Sequence, residues 1–228
     1  MSKIYDTILF DIDGTLITSG DAGATSWREA FNEIYGIPAD ISAFTDTGMT
    51  DPEVGRKTFQ AVLDRDPSDE EFSHLLDRRE YHLVAAVANS SGYRVLAGVD
   101  RLLPRLLQEG YLLGIVTGNL EGAAHIKLHR GNLNRFFAYG GFGSDSPDRK
   151  EVTKVALQRA SLVNGAPIAP EACLVIGDTP HDAEGAHGAG VKCVGVASHK
   201  FTAQELRDGG ADYVITSLEE ELPLDRAL

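Results

Sequence analysis

Ile4-Tyr5-Asp6-Thr7-Ile8-Leu9-Phe10-Asp11-Ile12-Asp13-Gly14-Thr15 begins as a short, mostly apolar run and stops abruptly at two acids and a glycine. A buried strand ending in a functional turn has this shape. Asp11 and Asp13 stand two residues apart, where strand alternation points both side chains the same way before the chain turns. Two carboxylates so close repel, and both stay ionised near neutral pH only beside a cation or several hydrogen-bond donors. Magnesium, a hard ion that takes oxygen ligands and keeps part of its water, suits such a pair. In isolation an acidic turn of this kind is as often a plain surface loop, because Asp and Gly populate turns freely.

Similar runs recur along the chain. Residues 111–116 stop at Thr117-Gly118-Asn119, 172–176 at Gly177-Asp178, 191–196 near Ser198 and 212–215 at Thr216. Stretches with helical spacing lie between them, at 99–108, 121–129, 151–162 and 183–189. The alternation predicts an α/β fold, an open parallel Rossmann-like sheet flanked by helices. In such sheets the ligand crevice lies beyond the carboxyl ends of the strands, where the polar residues gather here.

Residues 18–93 break the pattern, with three helical stretches near 22–35, 52–64 and 69–88 and no convincing strand. They read as an inserted all-α cap domain, leaving 1–17 and 94–228 as the core. Helix-start signals are Thr50 or Asp51 before Pro52, and Ser68 followed three residues later by Glu71. Trp27, Phe31 and Tyr35 share one helix face, a packing surface that could also roof a cleft.

The 34 acidic residues against 21 basic ones give a net charge of -13, which repels nucleic acid at long range. A small anionic substrate is compatible with that charge, since a metal ion and a few aimed donors reverse the field inside one cleft. No run of about 18 apolar residues is present to cross a bilayer. Cys173 and Cys193 sit in apolar runs without CxxC spacing, so both read as reduced core residues, and a cytoplasmic location is expected. His74, His82, His125, His129, His187 and His199 lack zinc-ligand pairing, whereas His181 falls inside an acidic turn.

That turn, Gly177-Asp178-Thr179-Pro180-His181-Asp182, repeats the opening pattern after another apolar run. Thr117-Gly118-Asn119 adds a hydroxyl, a residue allowing close backbone approach and an amide, beside a helix N-terminus whose free N–H groups favour anions. Alone it is an ordinary capping sequence. Taken together, the sequence resembles the haloacid dehalogenase-like hydrolases, whose four motifs run in this order: residues 11–15, 117–119, a basic residue at Arg149 or Lys150, and 177–182. The resemblance spans nearly the whole chain, and Gly48-Met49-Thr50-Asp51 is similar to the cap stretch of the phosphoglycolate phosphatase-like branch.

The resemblance implies a phosphatase with a helical cap, acting on a small phosphorylated metabolite such as a phosphoglycolate-like compound, a sugar phosphate or a nucleotide; the charge and the lack of a long apolar run give the expectation of neither nucleic acid nor membrane as partner. It implies Asp11 as nucleophile, forming an aspartyl phosphate, and Asp13 as general acid and base. It implies Mg2+ on the Asp11 and Asp178 carboxylates and the Asp13 main-chain carbonyl, and Thr117, Gly118, Asn119 and Arg149 around the phosphate. Asp182 is expected to orient a metal-bound water or the basic residue. Arg149 offers a planar fork and Lys150 a compact charge, and both stand as candidates. A phosphosugar mutase differs only in cap chemistry. Dehalogenation is disfavoured by Asp13, and a phospho-receiver module by the large insertion.

Overall fold

β1 (Thr7–Phe10) is buried along its whole length, as a strand covered on both faces must be. In the computed structural model, which describes residues 4–198 and 200–225, it lies at the centre of a six-stranded parallel sheet. Its neighbours are β4 (Leu112–Val116) and β6 (Cys173–Gly177). Beyond β4 runs β5 (Gly140–Gly141), and beyond β6 run β7 (Lys192–Val196) and β8 (Tyr213–Ile215). The chain leaves β1 towards one edge and later returns to the other side of it, so the order reverses beside β1, where open α/β sheets bind ligands.

Register sets the site. Phe10 pairs with both Ile115 and Ile176, so Asp11, Thr117 and Asp178 emerge at one rim within a residue or two of the same level. Alternation along the strands then divides the core. Phe10, Ile115 and Ile176 face α4 (Val99–Gln108) through Leu102, Leu103 and Leu106. Leu9, Val116 and Val175 face α6 (Arg149–Asn164) and α7 (Pro180–Gly188) through Val152, Ala156, Ala183 and Ala186. The fold class is the one that the alternation of apolar runs predicts.

The helical insertion holds α1 (Ala22–Tyr35), α2 (Asp51–Leu63) and α3 (Asp69–Asn89), which bury an apolar cluster of their own around Trp27, Phe31, Val54, Phe59 and Leu75. Trp27, Phe31 and Tyr35 do share a face, with ring centroids 6.3 and 5.9 Å apart, and Tyr35 meets Phe59 edge-on at 5.4 Å. Ser68 and Glu71 form a reciprocal capping box at the start of α3.

Two features depart from the sequence expectation. The strand-free stretch is bounded by a two-stranded antiparallel ribbon, β2 (Ile17–Ser19) with β3 (Tyr93–Val95), where the chain enters and leaves the insertion. Three-residue strands are too short to show an alternating pattern. β5 is likewise invisible in the sequence, since two glycines carry no side-chain signal; a Cβ on Gly141 would lie 2.1 Å from the Val152 carbonyl. Cys173 and Cys193 are unpaired and buried, and no helix among the described residues is long and apolar enough to cross a membrane. His199 and the ends of the expected core, residues 1–3 and 226–228, lie outside the described residues.

Phe31 is fully buried at the centre of the insertion's aromatic chain. Phe31→Ala is expected to lower unfolding free energy by about 3–5 kcal/mol in urea denaturation followed by tryptophan fluorescence; a loss below about 1 kcal/mol would refute this packing.

Candidate active site

Asp11 follows β1 directly, and its N–H donates to the Ile176 carbonyl at 2.9 Å, continuing the ladder one residue past the strand. The chain then turns tightly, with the Leu16 and Ile17 amides returning to the Ile12 carbonyl. Gly14 makes the turn possible, with φ at +82° and no room for a side chain: a Cβ there would lie 1.9 Å from Asp178 Oδ2. The two acidic turns therefore touch, although 163 residues separate Gly14 from the glycine that ends β6 (177 − 14).

Asp11, Asp178 and Asp182 are all buried, and one carboxylate oxygen from each lies within 4.8 Å of the others. Their surroundings treat them differently. Asp182 accepts from Arg149 Nη2 through one oxygen, and from the Thr179 amide and hydroxyl at 3.0 and 2.8 Å through the other. Asp178 Oδ1 is buried without a hydrogen-bond partner among the described residues. Loss of solvent, and then the neighbouring Asp182, push the Asp11 carboxyl above its usual range, with Arg149 opposing; loss of solvent and then Asp11 push Asp178 up.

Those features test the donor set for a metal. Asp182 is saturated, whereas Asp11 and Asp178 are crowded, buried and short of positive charge, and hard carboxylate oxygens are what Mg2+ prefers. The residues fit a divalent cation held by Asp11 and Asp178. The Asp13 side chain turns away from the cluster, so only its main chain is left to contribute there.

Asp13 instead meets three donors. Ser19 Oγ reaches Oδ1 at 2.8 Å, while Asn119 Nδ2 and Lys127 Nζ reach Oδ2 at 3.0 and 2.5 Å. Loss of solvent alone would raise this carboxyl, but the Lys127 charge and the three hydrogen bonds outweigh it and hold Asp13 below its usual value. Asn119 is thereby spent inside the protein, since its Nδ2 also donates to Thr117 Oγ1 at 2.8 Å and its Oδ1 accepts from Lys127 at 2.6 Å. Thr117, Gly118 and Asn119 all line the cleft, which measures about 920 Å3.

Of the two basic candidates only Arg149 reaches the carboxylates. They occupy the first turn of α6, where the Asp148 side chain accepts from the Lys150 amide. Neighbours on a helix point about 100° apart, so one faces in and the other out. Lys150 is 44% exposed and lies 3.7 Å from Glu184, outside the site, which removes it from the expected set for want of reach.

The insertion meets this rim through residues 48–51, which the sequence offered both as a helix start and as the family's cap stretch. Gly48, with φ at +97°, packs so near His181 that a Cβ would lie 2.6 Å from its ring. Thr50 occupies the N-cap position of α2 without a side-chain cap bond. Asp51 donates its amide to the Gly118 carbonyl at 2.7 Å, and its carboxylate accepts from Arg79 Nη2 at 2.9 Å and the Leu120 amide at 2.8 Å. Glu80 accepts from the Ala123 amide at 3.0 Å. The N-terminus of α5 (Glu121–Arg130), expected to attract an anion, thus takes two carboxylates from the insertion itself.

Ser19, Arg79, Glu80 and Lys127 were not singled out from sequence, and Asp51 was read only as part of a helix start and of the cap stretch. A signal existed for two of them. Arg79 interrupts the buried stripe Leu75-Arg79-Leu83 of α3, and Lys127 falls on the buried face of α5 with Ala123, Ala124 and Leu128. A cation in an apolar stripe has a buried partner.

The sequence profile of the family described as haloacid dehalogenase-like hydrolase matches residues 8–196. A phosphoglycolate phosphatase of Pseudomonas fluorescens (strain Pf0-1) is 26% identical, over 95% of this chain and 78% of its own length. A pyrophosphatase PpaX of Bacillus mycoides (strain KBAB4) is also 26% identical, over 96% of both chains. The crystal structure of CbbY from Rhodobacter sphaeroides in complex with phosphate superposes with a TM-score of 0.71 at 18% identity, over 95% of this chain and 96% of that one, which shows the shared fold.

Arg79 is 1% exposed and Asp51 11% exposed in their side chains, so removing the cation strands a buried carboxylate. Arg79→Met is expected to cost about 3–5 kcal/mol in chemical denaturation. Arg78→Met, next to it but paired with Glu33 at the surface, should cost no more than about 1 kcal/mol. Equal losses would contradict the buried clamp.

Proposed function

This chain belongs to the haloacid dehalogenase-like hydrolases, and on that premise we propose that it is a magnesium-dependent phosphatase of a small phosphorylated metabolite. One observation carries the reading: the buried Asp11 and Asp178 carboxyls converge, with Asp178 Oδ1 lacking a hydrogen-bond partner among the described residues, beside an Arg149 that is itself fixed by Asp182. A phosphoryl group is an electrophile with negative oxygens, and this arrangement offers it a nucleophile, a cation site and a fixed guanidinium.

In this reading Asp11 attacks phosphorus, the bond to the leaving oxygen breaks, and an aspartyl phosphate forms; water then attacks phosphorus and frees both inorganic phosphate and Asp11. Asp13 serves both halves, giving a proton to the leaving oxygen and taking one from the incoming water. Its three donors favour the carboxylate form. Arg149 offsets charge on the phosphoryl oxygens, and Asp182 keeps its fork in place. Mg2+, held by Asp11, Asp178 and the Asp13 main chain, would supply charge neutralisation on the oxygens in flight.

Residues 18–93 act as a cap on the 1–17 and 94–228 core. Their separate apolar cluster, the ribbon at their attachment and the seating of Asp51 on Gly118 support that division. A cytoplasmic setting agrees with two unpaired thiols. The relatives' names put phosphoglycolate and pyrophosphate first among substrates to try.

Phosphate release should be measured across phosphorylated metabolites with Mg2+. Asp11→Asn is expected to lower turnover at least about 10³-fold, and metal-free buffer with EDTA should silence the parent enzyme until Mg2+ is restored. Asp11→Asn turnover within tenfold of the parent would sink the mechanism.

A further inference from the structure

Lys127 is 5% exposed, and its ammonium lies 2.5 Å from Asp13 Oδ2 and 2.6 Å from Asn119 Oδ1. A buried ammonium loses its hydration, a cost that is offset only by well-made ionic hydrogen bonds. Here these two partners belong to the acidic turn and the rim of β4, and the side chain lines the cleft that Asp13 opens into. Asp13 has more than one way to move, since 36% of its side chain is exposed to that cleft. Lys127 and Asn119 grip one oxygen and Ser19 the other, which together fix both its position and the rotation of its carboxylate plane.

The grip is tied to the insertion as well. Ser19 lies in β2 and pairs with Tyr93 of β3. The Tyr93 hydroxyl in turn donates to the Lys127 carbonyl at 2.8 Å. The ribbon through which the cap is attached therefore supplies one donor to Asp13 and braces the helix that supplies another.

Resting on the phosphatase reading above, we propose that Lys127 is a positioning residue for the reaction: it holds the Asp13 carboxylate where proton transfer takes place, and acts on catalysis through Asp13. A proton carrier that must be met twice in one cycle, by the leaving oxygen and then by water, loses efficiency steeply when its aim is released. Lys127→Met removes the ammonium at nearly constant volume, and Lys127→Arg keeps the charge.

The test compares the parent with both variants, using full-length protein, Mg2+ and p-nitrophenyl phosphate. The readouts are kcat, KM, melting temperature and the fraction of enzyme trapped as acid-stable phosphoprotein during turnover. Because p-nitrophenolate leaves without help, the step that depends on Asp13 is hydrolysis of the aspartyl phosphate. Lys127→Met is expected to lower kcat about 30-fold or more, to leave or lower KM and to raise the trapped phosphoprotein fraction, with Lys127→Arg recovering at least about tenfold of the loss. If Lys127→Met keeps kcat within about threefold of the parent, or loses activity with no rise in trapped phosphoprotein, Lys127 is a packing residue and the proposal falls. Should Lys127→Met fail to fold, Lys127→Gln replaces it under the same criteria. A parent that neither turns over nor traps phosphoprotein overturns the phosphatase reading itself, a result distinct from an active parent whose variants are equally active.

Discussion

Three carboxylates packed into one buried rim repel one another, and the way that this repulsion is distributed organises the rest of the site. A single arginine enters from α6 and forms its ion pair with Asp182, which is also saturated by Thr179. Asp11 and Asp178 are left close to each other beyond the ends of β1 and β6, with Asp178 Oδ1 unpartnered among the described residues. Had all three been paired with cations, the rim would be a structural ion cluster; with two left without an ion-pair partner among the described residues, it is a place where added positive charge is stabilised. The cost of burying them is carried by a core that is apolar on both faces of the sheet.

Asp13 belongs to a second electrostatic arrangement a few ångströms away, in which the acid is outnumbered by donors. Its carboxyl is held down while that of Asp11 is pushed up, although the two sit two residues apart on the same turn. The surroundings drive the two carboxylates in opposite directions, Asp11 through burial and the neighbouring Asp182, Asp13 through Lys127 and its hydrogen-bond donors. The same donors connect outward. Ser19 and Tyr93 pair across the ribbon, and Asp51 and Glu80 of the insertion cap α5, the helix that carries Lys127. The insertion is thus bonded to the elements that hold the chemistry, as well as lying over them.

Much of this could be read before any coordinates. Apolar runs ended by Asp11, Thr117 and Asp178 gave the parallel sheet and the polar rim where they meet, because a strand buried on both faces must be apolar throughout and can expose polar groups only where it stops. The helices of the insertion were legible from spacing and from the Ser68 and Glu71 pair, which are local signals. Two-residue and three-residue strands were not, since they are held by pairing rather than by a pattern.

Order along the chain, the acidic turns and the helical insertion were therefore settled by the residues themselves, through backbone preference and the burial of apolar side chains. Only the folded arrangement set Arg149 against the carboxylates and Lys150 outside them, assigned Asp51 and Glu80 to the N-terminal end of α5, and brought Lys127 to Asp13. Those choices depend on which way a side chain points from a helix that is placed by distant packing. The residues that meet are separated by 33 positions between Arg149 and Asp182, 69 between Asp51 and Leu120, and 114 between Asp13 and Lys127. Charge complementarity over such separations leaves no periodic trace in the sequence. It exists only once desolvation makes each buried charge find its partner.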